Sequence, residues 1–583
     1  MPPGMGTVAN LAALLGFRYP SSMKTYIGIG GLMLVTGGVG FGLGHRVAGG
    51  ASLTSARPPA DCGRSGVVGS PSAGGPTHPA GLPSPSSAAS AEPPVVVTKR
   101  DDSDWPYRTW PEDTTSGDRV YSKLRFLWIR PEPKDNGKWL GYLSLGDSVR
   151  LREGDREKAF IRKAGSTHCT AWYAVEPRGY ICIDDASASF DRDDADVQLL
   201  VERRANPASP WPYHYAESTG TPVYSTIPPL HRQRRNESML DEHLSRVRRA
   251  RSAKTSEARI AIHPLLADID VDLTDAPPPR FVELGPRGRT NKTKVVRKST
   301  LAYTDAFDSD GRSWVQTWDK GIVPRDRIVT YPRSHFHGTS LNDDVRLPLA
   351  FFRREQKKYR MKGEAMVEVP GSTWPRHSWT MVTEDIVDID GKRYVRTRDD
   401  DHYVSVDGTT VARQSHAIPP QIKEMKEGRR TWIDISVLRG FLVAYEYDKP
   451  VYATLVSPGR GGVPRHGVDP IETASTPVGR FRITSKFLSA TMVSNASKDI
   501  VHDQVMYTQN FTGPYALHGA YWHDDWGEKK SGGCVNLSPV DARRIFKWTE
   551  PQIPAGWHGV QLVTGYDNAL AEFQSATLVY AHK

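Results

Sequence analysis

Hydrophobic and polar positions divide the chain into four stretches of different texture. From Tyr26 to Leu43 no residue is charged, with Arg18 and Lys24 before the run and His45 and Arg46 after it. A positive flank ahead of an apolar run predicts an export signal or membrane anchor over 1–50. The run is at the lower length limit for spanning, and Ala48, Gly50 and Ala51 offer a small-residue cleavage site. From Gly69 to Pro94, 22 of 26 residues are Pro, Gly, Ser or Ala. Such a stretch buries too little apolar surface to fold, so 51–100 reads as a disordered tether.

From about 118 to 410, short runs rich in Val, Tyr, Trp and Thr are broken by Gly, Pro, Asp and Asn, a pattern of short strands. An aromatic strand, a turn and an aliphatic strand recur three times. They are Trp172–Val175 with Gly179-Tyr180-Ile181, Trp314–Thr317 with Gly321–Pro324, and Tyr394–Thr397 with His402-Tyr403-Val404. The repeat weakly resembles bacterial SH3-like modules, which places three small β-barrels at 118–200, 276–335 and 345–415. Any antiparallel sheet can give such pairs. Between the first two, 201–275 reads as a linker with a basic helix. There Leu240, Leu244 and Val247 share one face, Ser238 and Asp241 form a capping pair, and arginines cluster at 232–235 and 246–251.

The last stretch alternates more cleanly. Trp432–Val437, Phe441–Tyr445 and Pro450–Ser457 predict successive strands, and Asp541-Ala542 opens a helix. The fold class is therefore mainly β.

Composition sharpens this reading. A chain of 583 residues is long enough for about four domains. Only eight of the first 99 residues are charged, which marks the N-terminus as different in kind. Lys and Arg exceed Asp and Glu by 76 to 66, a mild excess that suits an anionic wall or membrane surface and does not itself imply nucleic acid. Four cysteines without a CxxC pair exclude a disulfide scaffold and a zinc ribbon. Cys169 and Cys182 flank the first hairpin and are either bonded across it or two buried thiols.

Cys534 is the only cysteine of the C-terminal stretch and follows two glycines. Such a turn can expose backbone N–H groups to a carbonyl oxygen that gains charge. A thiol of ordinary pKa, about 8.5, needs a base at neutral pH, and His518 sits sixteen residues upstream at the end of an apolar strand. These residues alone fit a nucleophile and a buried structural thiol equally well.

The segment 430–565 resembles the L,D-transpeptidase (YkuD-type) catalytic domain. The resemblance rests on Ser457 and Gly459, on Thr476-Pro477 with Gly479 and Phe481, on His518-Gly519, and on Ser531 with Gly533-Cys534-Val535-Asn536. It implies a YkuD-type β-sandwich with short helices and a cysteine acyltransferase acting on peptidoglycan stem peptides. Cys534 would be the nucleophile and His518 the general base and acid. The Gly519 carbonyl would orient the imidazole, with Ser531 in support. The N–H groups of Gly533 and Cys534 would hold the oxyanion, and Tyr515, Trp522 and Asn536 would meet the substrate. Asn536 would also fix the catalytic loop. Tyr521, Trp522, His523 and Trp526 would form a lid rim. No metal and no other cofactor are implied. The family's second histidine, directly before Gly-Cys, is Gly532 here. The implied location is the periplasm or cell wall, with the membrane reached through the N-terminal segment. Hydrolysis in place of transfer, and a wall-binding protein with a degenerate site, remain the alternatives.

Overall fold

Three consecutive antiparallel strands, Thr431–Ser436, Phe441–Glu446 and Lys449–Leu455, open the C-terminal region where alternation predicts them. In the computed structural model, the residues described are 116–583, apart from 136, 163–168, 170, 254, 256–277, 279, 282–291, 416, 427, 494–499 and 564–568. The expected signal or anchor and the tether lie outside them. Among the described residues, no helix is long and apolar enough to cross a membrane.

The chain is mainly β, as expected. The three opening strands join a six-stranded sheet with Thr339–Ser340, Gly479–Arg482 and Leu578–His582. Leu578–His582 runs parallel to Thr431–Ser436 inside that sheet. A ten-stranded sheet packs against it. Its strands, in chain order, are β1 (Leu127–Arg130), β2 (Gly141–Leu143), β3 (Phe160–Ile161), β4 (Trp172–Ala174), β5 (Tyr180–Cys182), β6 (Ser485–Val493), β7 (Val501–Thr512), β8 (Tyr515–Gly519), β9 (Val535–Leu537) and β10 (Gly559–Gln561). Their spatial order is β9-β8-β7-β6-β10-β2-β1-β5-β4-β3. The first upstream region and the C-terminal region thus share one sheet, joined where Gly141 pairs with Val560 and Tyr142 with Gly559. One core follows from this: Ile129, Leu143 and Ile181 lie in the same buried cluster as Ile433, Leu517 and Ala542.

All three recurring hairpins form. Trp172–Ala174 pairs with Tyr180–Cys182, Arg312–Thr317 with Ile322–Pro324, and Lys392–Thr397 with Tyr403–Ser405. They belong to three different sheets, of ten, five and seven strands, and no sheet among the described residues closes into a barrel. The hairpin edges are taken by other strands of open sheets: β5 by β1, and Arg312–Thr317 by Thr300–Ser309. Cys169 and Cys182 are disulfide-bonded beside the first hairpin.

The basic helix is present as α1 (Leu240–Arg251). Its buried face is Leu240, His243, Val247 and Ala250, spaced three and four apart. The expected Ser238–Asp241 cap does not form. The residue before the helix is Met239 at φ 54°, and the Asp241 carboxylate instead takes Arg234 Nε at 3.1 Å. The helix expected at Asp541-Ala542 is α2 (Pro539–Trp548), capped by the Ser538 hydroxyl, which accepts the Asp541 N–H at 3.0 Å.

Candidate active site

Alternation in two neighbouring strands brings the nucleophile candidate to the base candidate. β8 and β9 pair in parallel, with Leu517 opposite Val535 and His518 opposite Asn536. Paired residues of a parallel ladder project to one face, and the next residues project to the other. Leu517 and Val535 enter the core. His518 and Asn536 share the opposite face, and Cys534, one residue before β9, falls in step with Asn536.

His518 is buried, and its Nδ1 lies 3.1 Å from the Gly519 carbonyl oxygen. A carbonyl only accepts, so Nδ1 carries the proton and Nε2 keeps its lone pair. Burial holds the imidazole at a pKa of about 4, offset in part by the Gly519 carbonyl and deepened by His502 and His523. Burial pushes the Cys534 thiol up to about 11, against a small opposing effect from the Ala516 N–H. Thiol and imidazole are therefore both neutral near pH 7. Among the described residues the thiol's hydrogen-bond acceptor is the Pro514 carbonyl, at 3.8 Å.

The turn that carries Cys534 is closed by Ser531. The Ser531 hydroxyl donates to the Cys534 carbonyl at 2.5 Å and accepts the Gly533 N–H at 3.0 Å. In this structure the Ser531 hydroxyl is committed to the loop that carries Cys534, and the Gly533 N–H is held by it. Gly533 has φ +127°, and a Cβ there would lie 2.6 Å from Tyr515 Cε1 and 2.9 Å from the Ser475 carbonyl, so only glycine fits. At Gly532 an added Cβ would meet nothing within 4 Å.

Thr476 holds the remaining motifs together, a role the sequence does not announce. Its hydroxyl accepts the Gly459 N–H at 2.8 Å and donates to the Gly533 carbonyl at 2.9 Å. Ser457 and Asn536 exchange backbone hydrogen bonds of 2.8 and 2.9 Å, and Gly459 bridges to Ser531. The motifs, scattered over about 80 positions, thus meet in one loop cluster.

Three aromatic or amide candidates take different places. Tyr515 is buried with its ring against Gly533, and its hydroxyl has no hydrogen-bond partner among the described residues. Burial, with Asp469 and Cys534 close by, raises its pKa, so it is present as a donor. Trp522 is half-buried, 5.8 Å from the His518 ring and 4.5 Å from the His502 ring. Asn536 is buried, with Nδ2 3.1 Å from His523 Nε2.

Of the four residues expected at a lid rim, Trp522 and His523 are half-buried. Tyr521 and Trp526 are buried. Tyr521 stacks on Tyr215 at 4.0 Å, and its hydroxyl lies 2.7 Å from the Asp503 carbonyl and 2.6 Å from Thr300 Oγ1. These contacts tie the segment after His518 to the upstream five-stranded sheet, a link with no local signal in the sequence. Among the described residues, no group of three His, Cys, Asp or Glu side chains is placed to hold a metal ion.

Residues 430–556 match the YkuD family, the L,D-transpeptidase catalytic domain. No curated protein matches the chain. Among solved structures, the chain is similar to the L,D-transpeptidase (residues 123–326) of Xylanimonas cellulosilytica, at 17% identity over 29% of this chain and 65% of that one, with a TM-score of 0.19. It is similar to the catalytic domain of the E. faecium L,D-transpeptidase at 17% identity, over 27% of this chain and 99% of that one, TM-score 0.18. An L,D-transpeptidase of Mycobacterium smegmatis matches at 13% identity, over 42% of this chain and 88% of its own, TM-score 0.19. The chain therefore spans just under two thirds of the first of these.

Proposed function

We propose that the chain is an exported, cysteine-dependent peptidoglycan L,D-transpeptidase whose nucleophile is Cys534. The observation that carries this is the pairing of β8 with β9, which sets Cys534 beside a histidine whose free Nε2 is fixed by the Gly519 carbonyl. The YkuD match over 430–556 supplies the substrate class.

The thiol turns from the Pro514 carbonyl toward His518. Sγ attacks the carbonyl carbon between the L-centre of a diamino acid and a terminal D-Ala, while Nε2 takes the thiol proton. Because thiol and imidazole are both neutral at rest, proton transfer accompanies attack and no stable ion pair precedes it. The Cys534 N–H meets the oxyanion, and the Tyr515 hydroxyl, which lacks a partner among the described residues, donates to the bound substrate. The C–N bond then breaks, and His518 gives its proton to the departing D-Ala amine. An amine of a second stem, or of a protein, attacks the thioester. His518 removes its proton and returns it to the Cys534 sulfur as the new amide forms. Trp522 packs against the imidazole and keeps water from Nε2.

The test is mass spectrometry of the protein with a disaccharide-tetrapeptide, beside Cys534→Ala. A tripeptide acyl adduct on the protein and cross-linked dimers are expected, both lost in the variant. Tripeptide product without dimers would make the enzyme a hydrolase. No adduct and no product from folded protein would leave a wall-binding protein with an enzyme's shape.

A further inference from the structure

The catalytic face of the large sheet continues into an aromatic groove that the reaction above does not use. The core row of the sheet runs Leu517–Gln509–Lys486–Val560–Gly141–Ile129 across six strands. The next row out, on the other face, runs Thr508–Phe487–Gly559–Tyr142–Trp128. His518 follows Leu517, so it projects to the same face as this aromatic row. Gly559 makes the row continuous: a Cβ there would lie 2.3 Å from Phe487 Cδ1, and without one Phe487 reaches Tyr142 at 5.9 Å.

Phe126, Trp128 and Trp139 stand around this floor and are only half-buried. Trp128 stacks on Phe126 at 5.5 Å and meets Trp139 at 5.2 Å, and Trp139 meets Phe487 at 6.2 Å. They border a shallow groove that also takes in Thr491 and Gln504. Its lining holds no charged side chain among the described residues. The floor is tied down by buried polar contacts: His558 Nδ1 lies 3.0 Å from Asp147, and His558 Nε2 lies 3.1 Å from Ser489 Oγ. A fixed, uncharged groove walled by indoles suits a ligand with flat C–H faces and no net charge, and does not suit a cation or an acidic peptide.

We propose that this groove binds the saccharide backbone to which the stem peptide is attached. The proposal rests on the reading of Cys534 as a stem-peptide acyltransferase. Its support is distance. Strands lie about 4.8 Å apart, so two intervals from β8 to β6 and five from β8 to β1 put the aromatic row about 10 to 24 Å from His518. Three residues of extended peptide, the length between the sugar and the scissile bond, span about 10 Å. A stem whose sugar lies against the half-buried Trp139, beside Phe487, is therefore within reach of Cys534. The upstream strands β1 and β2 then form part of the substrate site and not a separate module.

The test uses the full chain and two probes, a β-1,4-linked N-acetylglucosamine tetrasaccharide and a free tetrapeptide without sugar. Calorimetric titration should show the tetrasaccharide bound by the wild type, and bound at least tenfold more weakly by Trp128→Ala and Trp139→Ala, with Trp139→Phe close to wild type. Release of D-Ala from the free tetrapeptide should be unchanged in all three, which also shows that they are folded. Release from the disaccharide-tetrapeptide should fall about tenfold in the two alanine variants. Absence of tetrasaccharide binding, or equal binding by wild type and variants, overturns the proposal. So does a groove filled by a second copy of the chain, read as a mass by sedimentation that Trp128→Ala lowers. If the wild type binds the tetrasaccharide but releases no D-Ala from either peptide, the acyltransferase reading fails while the groove stands.

Discussion

Two buried polar clusters in this molecule treat charge in opposite ways. In the upstream region, Arg312 is almost fully buried and meets Asp326 at 2.8 Å, Glu237 at 2.8 Å and Gln233 at 2.7 Å. His243 from α1 adds a contact of 3.0 Å to Asp326, and Arg327 one of 3.1 Å to Glu237. Burial alone would raise the Asp326 pKa, but Arg312 and His243 hold it well below the usual carboxylate range. At the candidate site, His518 is buried and Cys534 is half-buried, no opposite charge faces them among the described residues, and both are driven to their neutral forms. The same loss of water makes an ion cluster in one place and an uncharged pair in the other, and the partner decides which. The first arrangement holds a fold. The second leaves a thiol and an imidazole both uncharged near pH 7.

The sharpest break is chemical. Cys534→Ala should lower D-Ala release by at least about 10⁴-fold with little change in unfolding temperature, since the site contributes chemistry and not an ion network. The upstream cluster should respond in the opposite sense. Arg312→Met leaves Glu237 with Arg327 and Asp326 with His243 as their remaining partners, removes the buried cation they share, and should cost about 3–5 kcal/mol of stability in denaturant titration. Asp326 has a lowered pKa in the folded state, so its contribution is complete above the unfolded value, about 4, and is lost as pH falls below it. Acid unfolding of the wild type should therefore begin below about pH 4.

The neutral pair predicts a pH profile. With His518 at about 4 and Cys534 at about 11, kcat/KM for acylation should be level between about pH 5 and 9 and fall only as His518 takes a proton below that. An inflection near 6.5 would mean that the imidazole is more exposed in solution than here. Tyr515→Phe should separate folding from function. Removing an unpaired buried hydroxyl should leave stability equal or raise it by about 1 kcal/mol, while kcat/KM for the tetrapeptide falls about tenfold. The smallest effect belongs to Gly532→His. The position is open, so the change should shift stability by less than about 0.5 kcal/mol and alter the ratio of cross-linked to hydrolysed product.

The reading from sequence succeeds where a residue's partners are near in the chain or fixed by backbone alternation. The three strands after Thr431 and the hairpins at Trp172, Trp314 and Tyr394 are of this kind. It fails where a partner comes from far away. Nothing around Tyr142 states that its neighbour is Gly559, and nothing in Tyr521-Trp522 states that Tyr215 will cover the first ring. The bond from the Gly533 N–H to Ser531, two residues before it, is local yet has no signal in the sequence. Asp541 was read as a helix opening. It is also a hub that accepts from the Gly338 N–H at 3.0 Å and from the hydroxyls of Tyr452 at 2.7 Å and Thr454 at 2.6 Å, which only the assembled sheets bring to it.

The shared sheet has a consequence for any cut between its two halves. β10 is hydrogen-bonded to β6 on one side and to β2 on the other. A fragment that keeps the catalytic residues but begins after Leu143 would leave Gly559–Gln561 as a bare edge, with a row of unmatched N–H and C=O groups beside an aromatic surface. Such an edge templates pairing with another chain. The trimmed enzyme would tend to self-associate, so a minimal catalytic fragment is a less soluble protein than the whole.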